Sequence, residues 1–317
     1  MINEYAKKQI ENIAVKCKEI KPLVAIRCIT YNHELYLKDA LEGFIMQKTD
    51  FHFIAVVHED ASTDGTAKIL KEYAEKYPDI IFPIFEKENQ YSKQDGSLKK
   101  IMNFACNASG AKYVAICEGD DYWIDPLKLQ KQVDFLESHQ EYSMCFHNVY
   151  VEGNKNINIH IFDHLKTGEW QLQDFIKKTT IPTCSALLKL SIFDKVPVNK
   201  NFQMGDNVIW LTSYREGKIY CINEKMGIYR RHVGGYTMEK SNILLQKNLK
   251  HVYALEESFP EVKKYLKELK IYHFNCLAFV YLKMRDSKWH TYLLKSLNTN
   301  PFIFIRVCFR MLKNKLS

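Results

Sequence analysis

Apolar residues recur along this chain in two rhythms. Over residues 1–20 they fall at helical spacing, with Ile10, Ile13, Ala14 and Cys17 on one face and Pro22 closing the segment. Leu23 to Ile29 then reads L-V-A-I-R-C-I, apolar throughout but for Arg27, the pattern of a strand buried on both faces. From there the two rhythms alternate. Strands are expected at 51–57, 80–85 and from Val114. Helices are expected from an Asn32 N-cap to about Gln47, from Thr66 to Tyr77, from Ser97 to Ser109 and from Pro126 to His139. This order predicts an α/β fold with a mainly parallel sheet flanked by helices.

After Tyr142 the pattern loosens. Residues 142–151 alternate like a strand with one wet face, 152–169 read as loop and 171–178 as a short helix. Strands are expected at 184–190 and 219–229, with a helix within 202–217. From about 239 onward only helical periodicity remains. The expected organisation is an N-terminal helix at 1–21, a main α/β domain at 22–238 with halves 22–150 and 151–238, and a helical C-terminal extension at 239–317.

Composition narrows the function classes. The formal net charge of +8 is modest for 317 residues, and the basic residues are scattered, so nucleic acid is not an expected partner. The nine cysteines include no C-x-x-C pair, and Cys28, Cys117, Cys145 and Cys221 sit inside apolar runs. That usage suits a reducing, cytoplasmic setting and not a disulfide or zinc framework. No apolar run reaches the length of a membrane-spanning helix. The segment 301–317, P-F-I-F-I-R-V-C-F-R-M-L-K-N-K-L-S, mixes aromatics and aliphatics with Arg306, Arg310, Lys313 and Lys315. It suits a helix lying peripherally on the inner face of an anionic membrane. Packing against 239–298 is the competing reading.

The candidate chemistry sits where strands end. Residues 114–126 read V-A-I-C-E-G-D-D-Y-W-I-D-P, so an apolar run stops at Glu118, Asp120 and Asp121. A second strand ends in Glu59-Asp60. Gly205-Asp206 and His232 follow later. Ligands of open α/β sheets bind outside the carboxyl ends of the strands. Clustered carboxylates there suit a divalent cation shared with phosphate oxygens. Glu118 and Asp120, two apart, would point the same way off a strand end. A nucleoside diphosphate leaving group needs such a cation, and an incoming hydroxyl needs a further carboxylate as base.

The chain resembles the glycosyltransferase family 2 enzymes, which have the GT-A nucleotide-diphospho-sugar transferase fold, over roughly residues 22–236. The matching segments are V-A-I-R-C-I-T-Y-N-H (24–33), E-D-A-S-T-D-G-T (59–66), C-E-G-D-D-Y-W-I-D-P-L-K-L-Q-K-Q (117–132), M-G-D (204–206) and Y-R-R-H-V-G-G (229–235). The resemblance implies an inverting, metal-dependent transferase of hexosyl or N-acetylhexosaminyl groups. It implies a nucleotide-sugar donor, in the first instance a UDP-sugar, and Mn2+ or Mg2+ as cofactor. The acceptor would be a hydroxyl of a glycan or lipid-linked sugar in surface polysaccharide synthesis. Thr30, Tyr31 and Asn32 would border the nucleotide pocket. Asp60 would hydrogen-bond the nucleobase, with Glu59 and Ser62 shaping the loop. Asp120 would coordinate the metal, and Glu118 would contact the ribose or a metal-bound water. Asp206 would be the catalytic base. His232 would complete the metal site or contact the diphosphate, and Gly234-Gly235 would form a flap over the donor. The chain departs from the family pattern in having Glu at 59 and 118, where Asp is commoner, and Gly before Asp206, where Glu is frequent. The alternative is a non-catalytic nucleotide- or glycan-binding module of a membrane-associated synthase complex. A sugar-1-phosphate nucleotidyltransferase would need a glycine-rich loop where this chain has T-Y-N-H.

Overall fold

A computed structural model describes residues 2–153, 159–176, 181–203, 205–232 and 242–316. Helix α1 (Glu4–Ile20) starts at Asn3, whose Oδ1 accepts the Ala6 amide at 2.8 Å. It buries Ala6, Ile10, Ile13 and Cys17, with Ala14 half-buried. There follow β1 (Val24–Thr30), α2 (Leu37–Ile45), β2 (Phe53–Glu59), α3 (Thr66–Lys76), β3 (Ile81–Phe85), α4 (Ser97–Ala108) and β4 (Tyr113–Ile116). Beyond them lie β5 (Tyr122–Trp123), α5 (Lys128–Ser138), β6 (Tyr142–Gly153), β7 (Gly168–Trp170), β8 (Leu187–Lys189), α6 (Gly205–Glu216) and β9 (Lys218–Arg231). The chain closes with α7 (Asn242–Ser258), α8 (Lys263–Lys283), α9 (Lys288–Thr299) and α10 (Pro301–Leu316).

The strands form one sheet in the order β3-β2-β1-β4-β8-β6-β9-β5, with β7 pairing to β9. β3, β2, β1 and β4 are parallel neighbours, so their carboxyl ends share one edge. Beyond β4 the sheet is mixed: β8 is antiparallel to β4 and β6, whereas β6 and β9 run parallel. The sequence pattern of β1 is explained by its central place, with six of its seven residues buried. Arg27 is tolerated there because its Nη1 lies 3.3 Å from Glu118 Oε1.

Three local expectations differ from the structure. Asn32 does not cap α2, which begins at Leu37; Asn32 takes a left-handed conformation with φ 53° in the preceding turn. Asparagine tolerates that region because its short side chain bonds locally. β6 has no wet face over its first eight residues, all of them buried. The reason is tertiary: β6 lies between β8 and β9 and carries α5 against it. The short strands β5 and β7 fall where the periodicity signals loop, since two or three residues are too few to show a period of two.

Packing divides the chain into two compact units. The first comprises residues 1–170, 179–196 and 212–232 and holds the whole sheet. The second comprises 171–178, 197–211 and 233–317 and is helical among the described residues. In it Phe274, Leu277 and Tyr281 of α8 pack with Leu249 of α7, joined by Trp289 and Tyr292 of α9. On α10, Val307 is buried and Cys308 Sγ lies 3.5 Å from Asn275 Nδ2 of α8. Phe302 and Ile305 of the same helix are exposed, Phe302 to 84%.

Candidate active site

The parallel edge of the sheet gathers three loops. After β1 and β2 the chain makes two turns that bind each other. The Asn32 amide donates to Ser62 Oγ at 3.0 Å, and Asn32 Oδ1 accepts the Thr63 amide at 2.8 Å. The His33 amide donates to Thr66 Oγ1 at 2.8 Å, and the Gly65 amide donates to Glu34 Oε2 at 3.0 Å. Asp64 Oδ1 accepts both the amide and the hydroxyl of Thr66 at the start of α3. These bonds satisfy turn amides that no ladder reaches and fix the two loops as one body.

The third loop, after β4, separates the acids that adjoin in sequence. β4 ends at Ile116, and residues 117–121 turn, with the Asp121 amide donating to the Glu118 carbonyl at 3.2 Å. The alternation of a strand no longer applies there, so Glu118 and Asp120 do not converge. Glu118 turns back to the sheet, taking Arg27 Nη1 on Oε1 and the Ile29 amide on Oε2 at 2.7 Å. Burial raises its pKa, against the opposing pull of Arg27 and the Ile29 amide. Asp121 is buried and accepts the Arg230 amide on Oδ1 at 2.7 Å, tying the loop to β9 and capping no helix. Burial, reinforced by the charge of Asp120, pushes its carboxyl well above the usual range.

Asp120 faces two imidazoles. Its Oδ2 lies 3.1 Å from His232 Nε2, at the end of β9, and 4.0 Å from His33 Nε2, in the turn after β1. Burial alone would raise its pKa, but the hydrogen bond from His232 and the nearby rings outweigh that and hold the carboxyl below its ordinary value. Burial lowers the proton affinity of His33, against the pull of Asp120. Tyr36 lies over His232 with ring centroids 4.6 Å apart. One donor atom from each of His33, Asp120 and His232 lies within 4.8 Å of the other two. Two imidazole nitrogens and one carboxylate oxygen form a donor set that fits a divalent cation.

The remaining expected residues are placed as follows. Asp60 is 1% exposed, and its two oxygens accept the amides of Gln90 (2.7 Å) and Tyr91 (3.0 Å). Glu59 is buried, with Oε1 on the Ser62 amide at 2.7 Å. Thr30 is buried at the end of β1, and Tyr31 beside it is exposed. Asp206 lies in the first turn of α6, in the second unit, and accepts the Asn207 amide at 2.9 Å. Met204 and the Gly234-Gly235 segment lie outside the described residues.

Sequence reasoning missed two neighbours of Asp120. His33 was quoted within a motif but given no role; its place after a β1 that adjoins β4 was the available signal. Arg230 stacks over the ring of Tyr122 at 4.3 Å and pairs with Asp39 and Glu152. An open cleft of about 590 Å³ lies elsewhere, lined by Asp125, Asn148, Tyr150, Glu224 and Lys225 among others, and shares no residue with the Asp120 group.

Residues 26–196 match the model of Glycosyl transferase family 2. The chain belongs to this family. The match runs from within β1 through β8 and therefore includes both His33 and Asp120. Among relatives, an uncharacterized protein of Mycobacterium tuberculosis is 34% identical over 219 residues, 67% of this chain and 60% of that protein. The family 2 chain thus aligns with only about 60% of that relative's length. The putative teichuronic acid biosynthesis glycosyltransferase TuaG of Bacillus subtilis is 25% identical over 66% of this chain and 79% of its own. Among solved structures, S. aureus TarS 1-349 in complex with UDP-GlcNAc superimposes with a TM-score of 0.54 at 15% identity. That superposition covers 89% of this chain and 90% of TarS 1-349, and it shows a shared GT-A fold.

Proposed function

We propose that this family 2 protein is an inverting, metal-dependent glycosyltransferase. It moves a hexosyl or N-acetylhexosaminyl group from a nucleotide-sugar, in the first instance a UDP-sugar, to a hydroxyl of a glycan or lipid-linked acceptor in surface polysaccharide synthesis. The observation that carries this reading is the meeting of Asp120 and His232 at the carboxyl edge of the parallel strands, beside the interlocked loops after β1 and β2. The teichuronic acid glycosyltransferase among the relatives and the UDP-GlcNAc bound to TarS support the acceptor class and the donor.

Asp120 and His232 would hold Mn2+ or Mg2+, which would neutralise charge on the departing diphosphate. Thr30, Tyr31 and Asn32 border the nucleotide. Asp60 fixes the 89–91 segment through two amides and has acceptor capacity left for a nucleobase N–H. Glu59 holds the same loop through Ser62. Glu118 reaches the ribose only after leaving Arg27, so its first role is to shape the loop that presents Asp120. Asp206 takes the proton of the acceptor hydroxyl as its oxygen bonds to the anomeric carbon and the bond from that carbon to the diphosphate breaks. The role of Asp206 rests on the sequence resemblance. The exposed Phe302 and Ile305 of α10 support peripheral contact with an anionic membrane on its cytoplasmic side.

The test is release of nucleoside diphosphate from a panel of nucleotide-sugars with Mn2+. One donor should stand out, and Asp120→Asn and Asp206→Asn should each lower turnover by about a hundredfold or more. Binding of a donor with no release, with or without acceptor glycans, would instead favour the non-catalytic module.

A further inference from the structure

The geometry points to His33 as a third protein ligand of the cation and, through it, to a site that prefers first-row transition ions over Mg2+. This rests on the reading of Asp120 and His232 as the metal site of a glycosyltransferase. Asp120 Oδ2 and His232 Nε2, 3.1 Å apart, already have the separation of neighbouring ligands around one ion with bonds of about 2.1 Å. His33 Nε2 faces the same oxygen at 4.0 Å, so it needs a shift of about 1 Å to join them. Its backbone is anchored by the bond to Thr66 Oγ1 and by the Tyr36 and Leu37 amides on its carbonyl, so side-chain rotation supplies that shift.

The loop after β4 is shaped to admit the ring. A Cβ on Gly119 would lie 3.0 Å from His33 Nδ1 and 2.8 Å from the side chain of Thr30. Only glycine lets the acidic loop approach this closely, one residue before Asp120. Among the described residues His33 Nδ1 has no hydrogen-bond partner, so protein hydrogen bonds do not hold the ring away from the cation. The three ligands come from three separate segments, after β1, after β4 and at the end of β9. Three protein ligands would still let a bound cation take diphosphate oxygens and water.

The donor set decides the ion. Mg2+ prefers hard oxygen ligands and gives up its water reluctantly. Imidazole nitrogens favour later divalent ions, with affinity rising from Mn2+ to Co2+. One imidazole gives a mild preference, and two give a pronounced one. His33 therefore also links the metal to the nucleotide-facing loops, because the turn that carries it is bonded to the loop after β2.

The test measures metal binding, not turnover. Mn2+ binding is followed by electron paramagnetic resonance on the full chain with UDP, and Mg2+ is titrated as competitor. Pulsed resonance counts the imidazole nitrogens on bound Mn2+. The expected results are two coupled imidazoles in the natural protein and one in His33→Asn. Mn2+ affinity should fall by about tenfold or more in that variant, with Mg2+ affinity nearly unchanged. Gly119→Ala, which leaves every ligand in place but crowds the ring, should shift Mn2+ affinity in the same direction. A single imidazole in the natural protein, or unchanged Mn2+ affinity in a folded His33→Asn variant, would overturn the assignment. Nucleoside diphosphate release would still stand in that case, which separates failure of His33 from failure of the glycosyltransferase reading.

Discussion

Lys128 is a cation with no anion beside it. It is fully buried, has no hydrogen-bond partner among the described residues, and its Nζ lies 3.8 Å over the ring of Trp123. Burial pulls its pKa from 10.5 down to about 7. Between pH 7 and 10.5 the unfolded chain holds a proton that the folded chain has released, so stability rises with pH across that window. Below pH 7 both states carry the proton and the penalty is constant. Lys128→Met should therefore raise the melting temperature at pH 7, and its advantage should shrink steadily toward pH 10; parallel curves would disprove the account. Glu118 makes a second case. Glu118→Gln leaves Arg27 buried without its counter-charge and should cost about 1–3 kcal/mol in urea unfolding. Adding Arg27→Met should recover part of that loss, since a buried pair replaced whole is tolerated better than one broken. Neither environment was legible from sequence: Lys128 carried no signal of burial, and Glu118 read as a ribose or metal-water contact, whereas packing pairs it with Arg27.

At the level of elements, α1 reaches the candidate nucleotide pocket. Asn3 Nδ2 donates to both oxygens of Glu86, at 3.2 and 3.0 Å. Glu86 also takes Gln90 Nε2 at 3.2 Å and lies 3.5 Å from His58 at the end of β2. Gln90 in turn donates its amide to Asp60. Glu86→Ala should loosen the 86–91 segment and raise the KM for donor several-fold with a smaller change in kcat; an unchanged KM would confine the network to stability. The helix itself was clear from its periodicity, but this role was not, because Asn3 and Glu86 are 83 residues apart. On α10, one face is engaged, with Val307 buried and Arg306 Nη2 3.0 Å from Glu268. Phe302→Glu combined with Ile305→Glu should abolish co-sedimentation with anionic vesicles if the exposed face meets a membrane. Equal sedimentation of natural and variant chains would count against that contact.

At the scale of the molecule, the units defined by packing do not follow chain order. Residues 171–178 and 197–211 group with the helical unit although they lie between segments of the main one. A matching nucleoside diphosphate with Mn2+ at a hundredfold excess over Kd should stabilise the protein by about 2.7 kcal/mol, read as a shift in melting temperature. Asp120→Asn should remove most of that shift. The sequence by itself determined the α/β alternation, the parallel half of the sheet and the acids at its carboxyl edge. Those features rest on local periodicity and on short motifs, which one segment carries alone. Only the tertiary structure decided that Glu118 turns to Arg27, that Asp121 binds β9, and that Asp120 meets His33 and His232. Each of those pairings joins residues from different segments, and the direction of a side chain in a turn is set by the partners that surround it. The strands β6, β8 and β9 were legible as strands, but their parallel and antiparallel pairings were not, because those are chosen between segments distant in the chain.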